Sequence, residues 1–354
     1  TSSVTITVPE EPEIVKYITS NTTNADAQSY FGSTDWTRSV RKRLIVNGGV
    51  VVGSTNPSAA ALSITAGVVG AFVLENNGSI QGAGGLGGVA NGGNGGKGGN
   101  AIIINNKGTG GTVSITNNGS IYAGGGGGGA GTKGGTGGQG GSGSYQVNNP
   151  TQYFQEDAGC NLAWGQWTCG SNSVALANYN NAGCVAAPYG RTITCNRFGF
   201  ADNSSGNGVY RTQDNYSTVD TTGGNGGEGG NGGNGGVGQG YAQSAAGGAA
   251  GAAGAAGAAG GTNAGTGGNG GTGGTGGTGG GLGADGSNGS QGNTGDTGAS
   301  GNVGSGSGGL AGGLPVGIRG LAGYYINGID NLNGGVGGTV GGRTKNIGEQ
   351  ATTN

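Results

Sequence analysis

Glycine occupies every third position from Gly265 to Gly304 without a miss. Shorter tracts keep the same phase in 92–100 and 223–240, and GAA triplets keep it from Gly248 to Gly260. A flexible glycine-rich linker has no physical reason to hold phase over such a length. Collagen holds it, but with abundant proline, and this chain has six prolines with none between Pro188 and Pro315. Three residues per turn is also the pitch of an extended left-handed helix of the polyproline II type. That helix makes no internal hydrogen bonds and turns every peptide group outward. Ordering a residue costs about 1–2 kcal/mol, and a hydrogen bond returns about 0.5–1.5 kcal/mol net. A lone helix of this kind therefore does not form. A bundle paired on several sides comes near balance, and glycine alone lets the backbones approach closely enough. Folding back at the segment 281–289 or at the slip in phase at 261–264 is expected, because it is more compact than one straight run and lets runs pair.

Between and around these tracts runs a second pattern. LIVNGGVVVG (44–53), FVLENNGSIQGAGG (72–85) and VSITNNGSIYAGGG (113–126) each read as strand, Asn-Gly turn, strand and glycines. The segments IIINNKGTGG (102–111) and YYINGIDNLNGGVGG (324–338) are looser variants. Asn-Gly is a strong hairpin or turn signal because both residues tolerate positive φ. The expected fold is mainly β or irregular: strand-rich repeats supporting a bundle, or sandwich, of polyglycine II helices, with little or no α-helix. Expected boundaries are an N-terminal strand or attachment segment at 1–35, β-rich repeats with glycine excursions at 36–143, and an aromatic, cysteine-containing insertion at 144–222. A triplet region at 223–313 and closing strands with a tail at 314–354 follow.

Composition narrows the function classes. Only 8% of residues are charged and the net charge is −2, which argues against nucleic acid or a membrane surface as partner. The basic run RSVRKR (38–43) leads into an apolar strand and reads as solubilising its end. No apolar run is long enough to span a membrane. Histidine and methionine are absent. Without histidine the usual general base and metal ligand are missing, the carboxylates are sparse, and no catalytic, metal or cofactor site is expected. Thr1 is not an initiator residue, so the chain is read as processed or trimmed.

The segment 144–222 holds most of the aromatic residues and all four cysteines. Cys160, Cys169, Cys184 and Cys195 contain no CxxC spacing and read as two disulfides in an oxidising, extracellular setting. Of the three pairings, the sequential one, 160–169 with 184–195, is preferred. Tyr153, Phe154, Trp164, Trp167, Tyr179, Tyr189, Tyr210 and Tyr216 are the candidate binding residues, because Tyr and Trp give large contact area at modest entropy cost. They serve equally as the core of a small stapled subdomain, and the two roles are compatible. Tyr241 and the segment 314–325 are secondary candidates.

NNGSIYAGGGGGG (117–129), followed by GGN and GGT triplets, resembles the adhesins at the tips of T-even-like bacteriophage long tail fibres and the glycine-rich tips of some siphophage central fibres. The resemblance covers about 72–143 and 223–340. It implies a sandwich of polyglycine II helices whose end loops contact a bacterial outer-membrane protein or surface glycan. The first 70 residues depart from the attachment domain of the T-even adhesins, and paired cysteines are unusual in a virion protein. The leading reading is thus an extracellular receptor-binding tip joined to a fibre or neighbouring subunit through its N-terminal segment, without membrane insertion. The runner-up is a structural subunit of an extracellular fibril, in which TSSVTITV joins a neighbour's sheet. A third reading is an ice-binding protein presenting Thr272, Thr275 and Thr278.

Overall fold

The computed structural model describes residues 12–155, 160–163, 166–169, 198–202 and 209–345, with the backbone alone described between 148 and 215. Strand is the dominant regular element.

The apolar repeats wind into a three-sided parallel β-helix. Its first coil is β1 (Ile14–Ile18), β2 (Thr22–Thr23) and β3 (Ala25–Asp26), and the helix α1 (Ala27–Trp36) leads out of it. The second coil is β4 (Lys42–Val46), β5 (Val51–Gly53) and β6 (Leu62–Ile64), and the third is β7 (Ala71–Asn76), β8 (Ser79–Gln81) and β9 (Ile102–Ile104). The fourth opens with β10 (Thr112–Asn117) and β11 (Ser120–Tyr122). Among the described residues β12 (Gly143–Gln155), β13 (Cys160–Ala163), β14 (Gln166–Cys169), β15 (Phe198–Asp202) and β16 (Val209–Thr221) follow, and only then does β17 (Tyr324–Asn327) close that coil. A last coil consists of a bridge from Val113 to Leu332, then β18 (Thr339–Gly341) and β19 (Arg343–Lys345). The three sheets run β1-β4-β7-β10, β2-β5-β8-β11-β18 and β3-β6-β9-β17-β19, and all their pairs are parallel.

This winding decides between the hairpin and the turn that Asn-Gly signals. The strands flanking each Asn-Gly turn enter different sheets, so the turn is a corner of the coil and not a hairpin. Repeats pair with their copies in the next coil: Leu44 with Leu74 and Leu74 with Ile115, and Val52 with Ile80 and Ile80 with Ile121. These residues are buried in one continuous core. At about 1.5–3 kcal/mol for each buried large aliphatic side chain, this stack supplies the hydrophobic closure that the glycine tracts lack. Phe31 and Trp36 of α1 extend the core against Phe72, with ring centroids 6.1 and 5.4 Å away.

The basic run is only partly a solvated strand end. Arg41 and Arg43 do pair with Glu13 at the surface. Lys42, however, points inward and is fully buried, its Nζ donating to the carbonyls of Arg38, Val40 and Val69 at 2.6, 2.9 and 2.7 Å. Alternation within β4 places it on the core face, beside Leu44 and Val46.

Both glycine excursions leave the β-helix between the second and third sheets. They form straight runs: a (82–88), b (93–99), c (124–141), d (223–239), e (246–260), f (265–280), g (284–301) and h (304–323). Run c lies at the centre. Its N–H groups donate to run b (Gly127 to Gly96, 2.8 Å), run d (Gly128 to Gly236, 2.7 Å) and run g (Gly129 to Ser287, 2.9 Å). Its carbonyls accept from run a (Gly85 to Gly125, 2.8 Å), run f (Gly277 to Gly129, 2.7 Å) and run h (Gly320 to Gly127, 2.7 Å). The six neighbours also bond to one another in the closed order a, b, h, g, f, d, while run e lies outside, against d and f.

Glycine content follows this packing. A Cβ on Gly126, Gly127 or Gly128 would lie 1.9, 1.8 or 2.0 Å from a carbonyl oxygen of run h, a or f respectively, so three successive residues must all be glycine. Beyond Thr132, runs a and b have ended, and Lys133, Thr136 and Gln139 are exposed at every third position. In run e only the glycines facing run f are obstructed, and alanines fill the outer positions. Side chains help to fasten the bundle to the β-helix. Asp285 of run g accepts from Arg343 Nη2 of β19 at 2.7 Å, and from the Ala322 N–H of run h at 2.7 Å. Tyr241 sits over Gly53, where a Cβ would be 2.0 Å from its Cγ, so this secondary candidate packs at the junction.

Candidate functional site at the distal end of the glycine bundle

Runs c and d are neighbours, joined at their distal ends by the Gly140 to Gly224 hydrogen bond of 2.9 Å. The insertion leaves from the end of c and returns to the start of d, so it sits at the end of the bundle opposite the β-helix. Its base is the antiparallel pair β12–β16, with Gly143 opposite Thr221 and Ser144 opposite Asp220. A third strand, β15 (Phe198–Asp202), pairs with β16. The register shifts between Asn149 and Gln152, bracketing Pro150 on the edge strand β12. That is a position where a residue without an N–H is tolerated.

Several candidate binding residues come together in this sheet. Tyr153 lies opposite Thr212, Phe154 opposite Arg211, and Tyr210 opposite Gln155, in consecutive register rows. Phe200 stands opposite Arg211 on the other side, so Phe154, Arg211 and Phe200 share one row across three strands. Tyr216 is opposite Asn148, nearer the base, and is half-buried. Trp167 lies in a separate hairpin, β13 (Cys160–Ala163) with β14 (Gln166–Cys169), opposite Leu162. In that hairpin Cys160 and Cys169 are direct register partners. Trp164, Tyr179, Tyr189, Cys184 and Cys195 lie outside the described residues.

Two turns close around the base of the insertion, at 261–264 between runs e and f and at 301–304 between runs g and h. Asn302 pairs with the Ser144 peptide through both ends of its amide. Its Oδ1 accepts the Ser144 N–H at 2.8 Å, and its Nδ2 donates to the Ser144 carbonyl at 2.9 Å. Asn263 Nδ2 donates to the same carbonyl at 2.9 Å, and Thr221 Oγ1 donates to the Thr262 carbonyl at 2.7 Å. Asn263 has φ 61°, a left-handed conformation that asparagine tolerates. Gly143 lets this turn approach, since a Cβ there would lie 2.3 Å from Ala264 N. Val303 at the tip of the second turn is 62% exposed. Sequence reasoning missed Asn263, Asn302 and Ser144. The phase slip at 261–264 marks the first turn, but Gly301 and Gly304 keep phase, so the second reversal leaves no signal.

The threonines of the ice-binding reading have partners within the bundle. Thr272, Thr275 and Thr278 bond through their hydroxyls to Asn293, Ser290 and Ser287 at 2.6, 2.9 and 3.1 Å, cross-linking run f to run g. Among the described residues no group of three or more His, Cys, Asp or Glu could hold a metal ion, and no helix is long and apolar enough to cross a membrane.

No curated protein matches the chain. Among solved structures, the gp37–gp38 adhesin tip complex of the bacteriophage S16 long tail fibre aligns over 95% of this chain and 79% of that one, at 14% identity and a TM-score of 0.28. A family model, phage tail fibre adhesin Gp38, matches residues 13–266, which takes in β1 to β11 of the β-helix, the insertion and runs a to e of the bundle. The chain belongs to the phage tail fibre adhesin Gp38 family.

Proposed function

We propose that this adhesin is a receptor-binding tip whose distal end engages a bacterial outer-membrane protein or surface glycan, and whose β-helix end is held by the fibre. The observation carrying the reading is the path of the chain. Runs c and d take the aromatic-rich insertion away from the β-helix and leave it at the far end of a bundle with almost no side-chain chemistry of its own. We read the runs as polyglycine II helices, because hydrogen bonds pass only between runs and repeat every third residue. At ~3.1 Å per residue, run c then spans about 50 Å as a rigid spacer.

The attachment half of the proposal rests on the two ends of the β-helix. The last coil is covered by the chain itself, with Ile329, Leu332 and Val336 packed on the core. The first coil offers the backbone edges of β1, β2 and β3, which have no further strand beside them among the described residues. Unpaired strand edges are ready templates for a partner chain.

The test is adsorption of the purified protein to host bacteria. Runs c and d adjoin at Gly140 and Gly224, so a short turn can replace 144–222 without breaking the bundle. Loss of adsorption with an unchanged melting temperature supports the assignment, and undiminished adsorption overturns it.

A further inference from the structure

Resting on that reading, we infer that Asn263 and Asn302 are positioning residues that set the direction in which the β12–β16 hairpin leaves the bundle, and thereby how its binding face meets the receptor. At the junction, the hairpin is joined covalently to the bundle by two strands only. Two crossings of this kind leave it free to pivot about the line between Ser144 and Thr221. The outer edge of β12 at Ser144 is held instead by side-chain amides: Asn302 takes both the N–H and the carbonyl of Ser144, as a neighbouring strand would, and Asn263 adds a second donor to that carbonyl. The Asn302 N–H in turn donates to the Asn263 carbonyl at 3.0 Å, which ties the two turns together. On the return strand, Thr221 is held to Thr262.

Bundle stability does not require these amides. Asn263 and Asn302 are exposed, while the run-to-run hydrogen bonds that hold the lattice are made by backbone groups. Both asparagines come from turns, and the turn between g and h is bridged independently by Gly301 to Gly304, at 2.8 Å. Their side chains act on the junction with the insertion.

The experiment uses the full chain with Asn263→Ala, Asn302→Ala and the double substitution, alongside the 144–222 replacement. Three readouts are taken: thermal unfolding, hydrogen–deuterium exchange in 143–147, and adsorption to host bacteria. The expected result for the double variant is an unchanged unfolding temperature, faster exchange at 143–147, and adsorption weakened about tenfold, the equivalent of one or two lost hydrogen bonds. Asn302→Asp keeps the acceptor and loses the donor, and is expected to fall between wild type and Asn302→Ala. Unchanged exchange and full adsorption in the double variant, with adsorption lost on replacing 144–222, overturn the positioning role alone. Full adsorption after that replacement overturns the receptor-binding reading of the tip itself.

Discussion

Asn76 donates from Nδ2 to Oδ1 of Asn117 at 2.8 Å, linking the same corner of two successive coils of the β-helix. Both side chains are buried. Asn76 also gives its second N–H to the Ser120 carbonyl and accepts the Gly78 N–H, and Asn117 passes the ladder on to the Gly337 carbonyl at 2.9 Å. The first asparagine of the repeated NNGS motif is thus a corner staple whose amide satisfies backbone groups that no sheet reaches.

Asn76→Ala removes this staple and leaves buried partners unsatisfied. A loss of about 2–3 kcal/mol is expected in urea denaturation. The neighbouring Asn77→Ala, on a more exposed side chain, should stay within about 0.5 kcal/mol. Equal effects at both positions would mean that the ladder is not what holds the corner.

In run f the glycines and the threonines should respond oppositely to substitution. A Cβ at Gly274 would lie 2.0 Å from the Ser290 carbonyl oxygen. Gly274→Val must separate two runs and should cost about 3 kcal/mol or more. Thr272→Val gives up one exposed bond to Asn293, worth about 0.5–1.5 kcal/mol. Melting curves of the two variants decide the matter, and similar melting temperatures would contradict the close packing of runs f and g.

Lys42 carries a pH signature. Burial pushes its pKa below the usual 10.5, with the charge of Asp35 acting in the opposite direction. Between the folded pKa and 10.5 the unfolded chain binds more protons, so this group's contribution to stability rises with pH across that window and levels off above it. The stability difference between wild type and Lys42→Met should therefore grow as pH climbs toward 10.5. At neutral pH the methionine strands three carbonyls and should cost about 2–3 kcal/mol. Paired denaturation curves at neutral and alkaline pH provide the check.

Cys160 and Cys169 face each other across β13 and β14. Cross-strand neighbours lie about 4.5–5.5 Å apart at Cα, within reach of a disulfide. Peptide mapping of secreted or virion-derived protein without reductant is expected to recover a 160–169 cross-link. A 160–184 or 160–195 cross-link would refute the sequential pairing.

How much of this was legible from residues alone differs between the two halves of the molecule. The glycine phase from Gly265 to Gly304 marks a close-packed tract, because only close approach of backbones demands the repeated loss of Cβ. The reversal at 281–284 falls within the segment 281–289 offered as a fold-back point, but the one at 301–304 is not disclosed, since that turn spans a whole triplet and the phase runs on through it. The NNGS copies at 76–79 and 117–120 announce a repeat and a turn. Whether the flanking strands pair with each other or with the next copy depends on contacts tens of residues away. Lys42 reads as one more charge in a basic run, and strand alternation, fixed by the register of β4 with β7, turns it into the core.

The amino-acid sequence by itself determined the materials: glycine at the spacing where backbone must touch backbone, aliphatic residues where strands stack, and most of the aromatic residues and all four cysteines gathered in one insertion. Tertiary structure alone decided which run lies at the centre, that the strands wind into coils, and that Asn263 and Asn302 meet at Ser144. The physical reason is that a glycine run carries no side chain by which to name its neighbour. Its partners are chosen by where the β-helix releases each run and by where the turns return it.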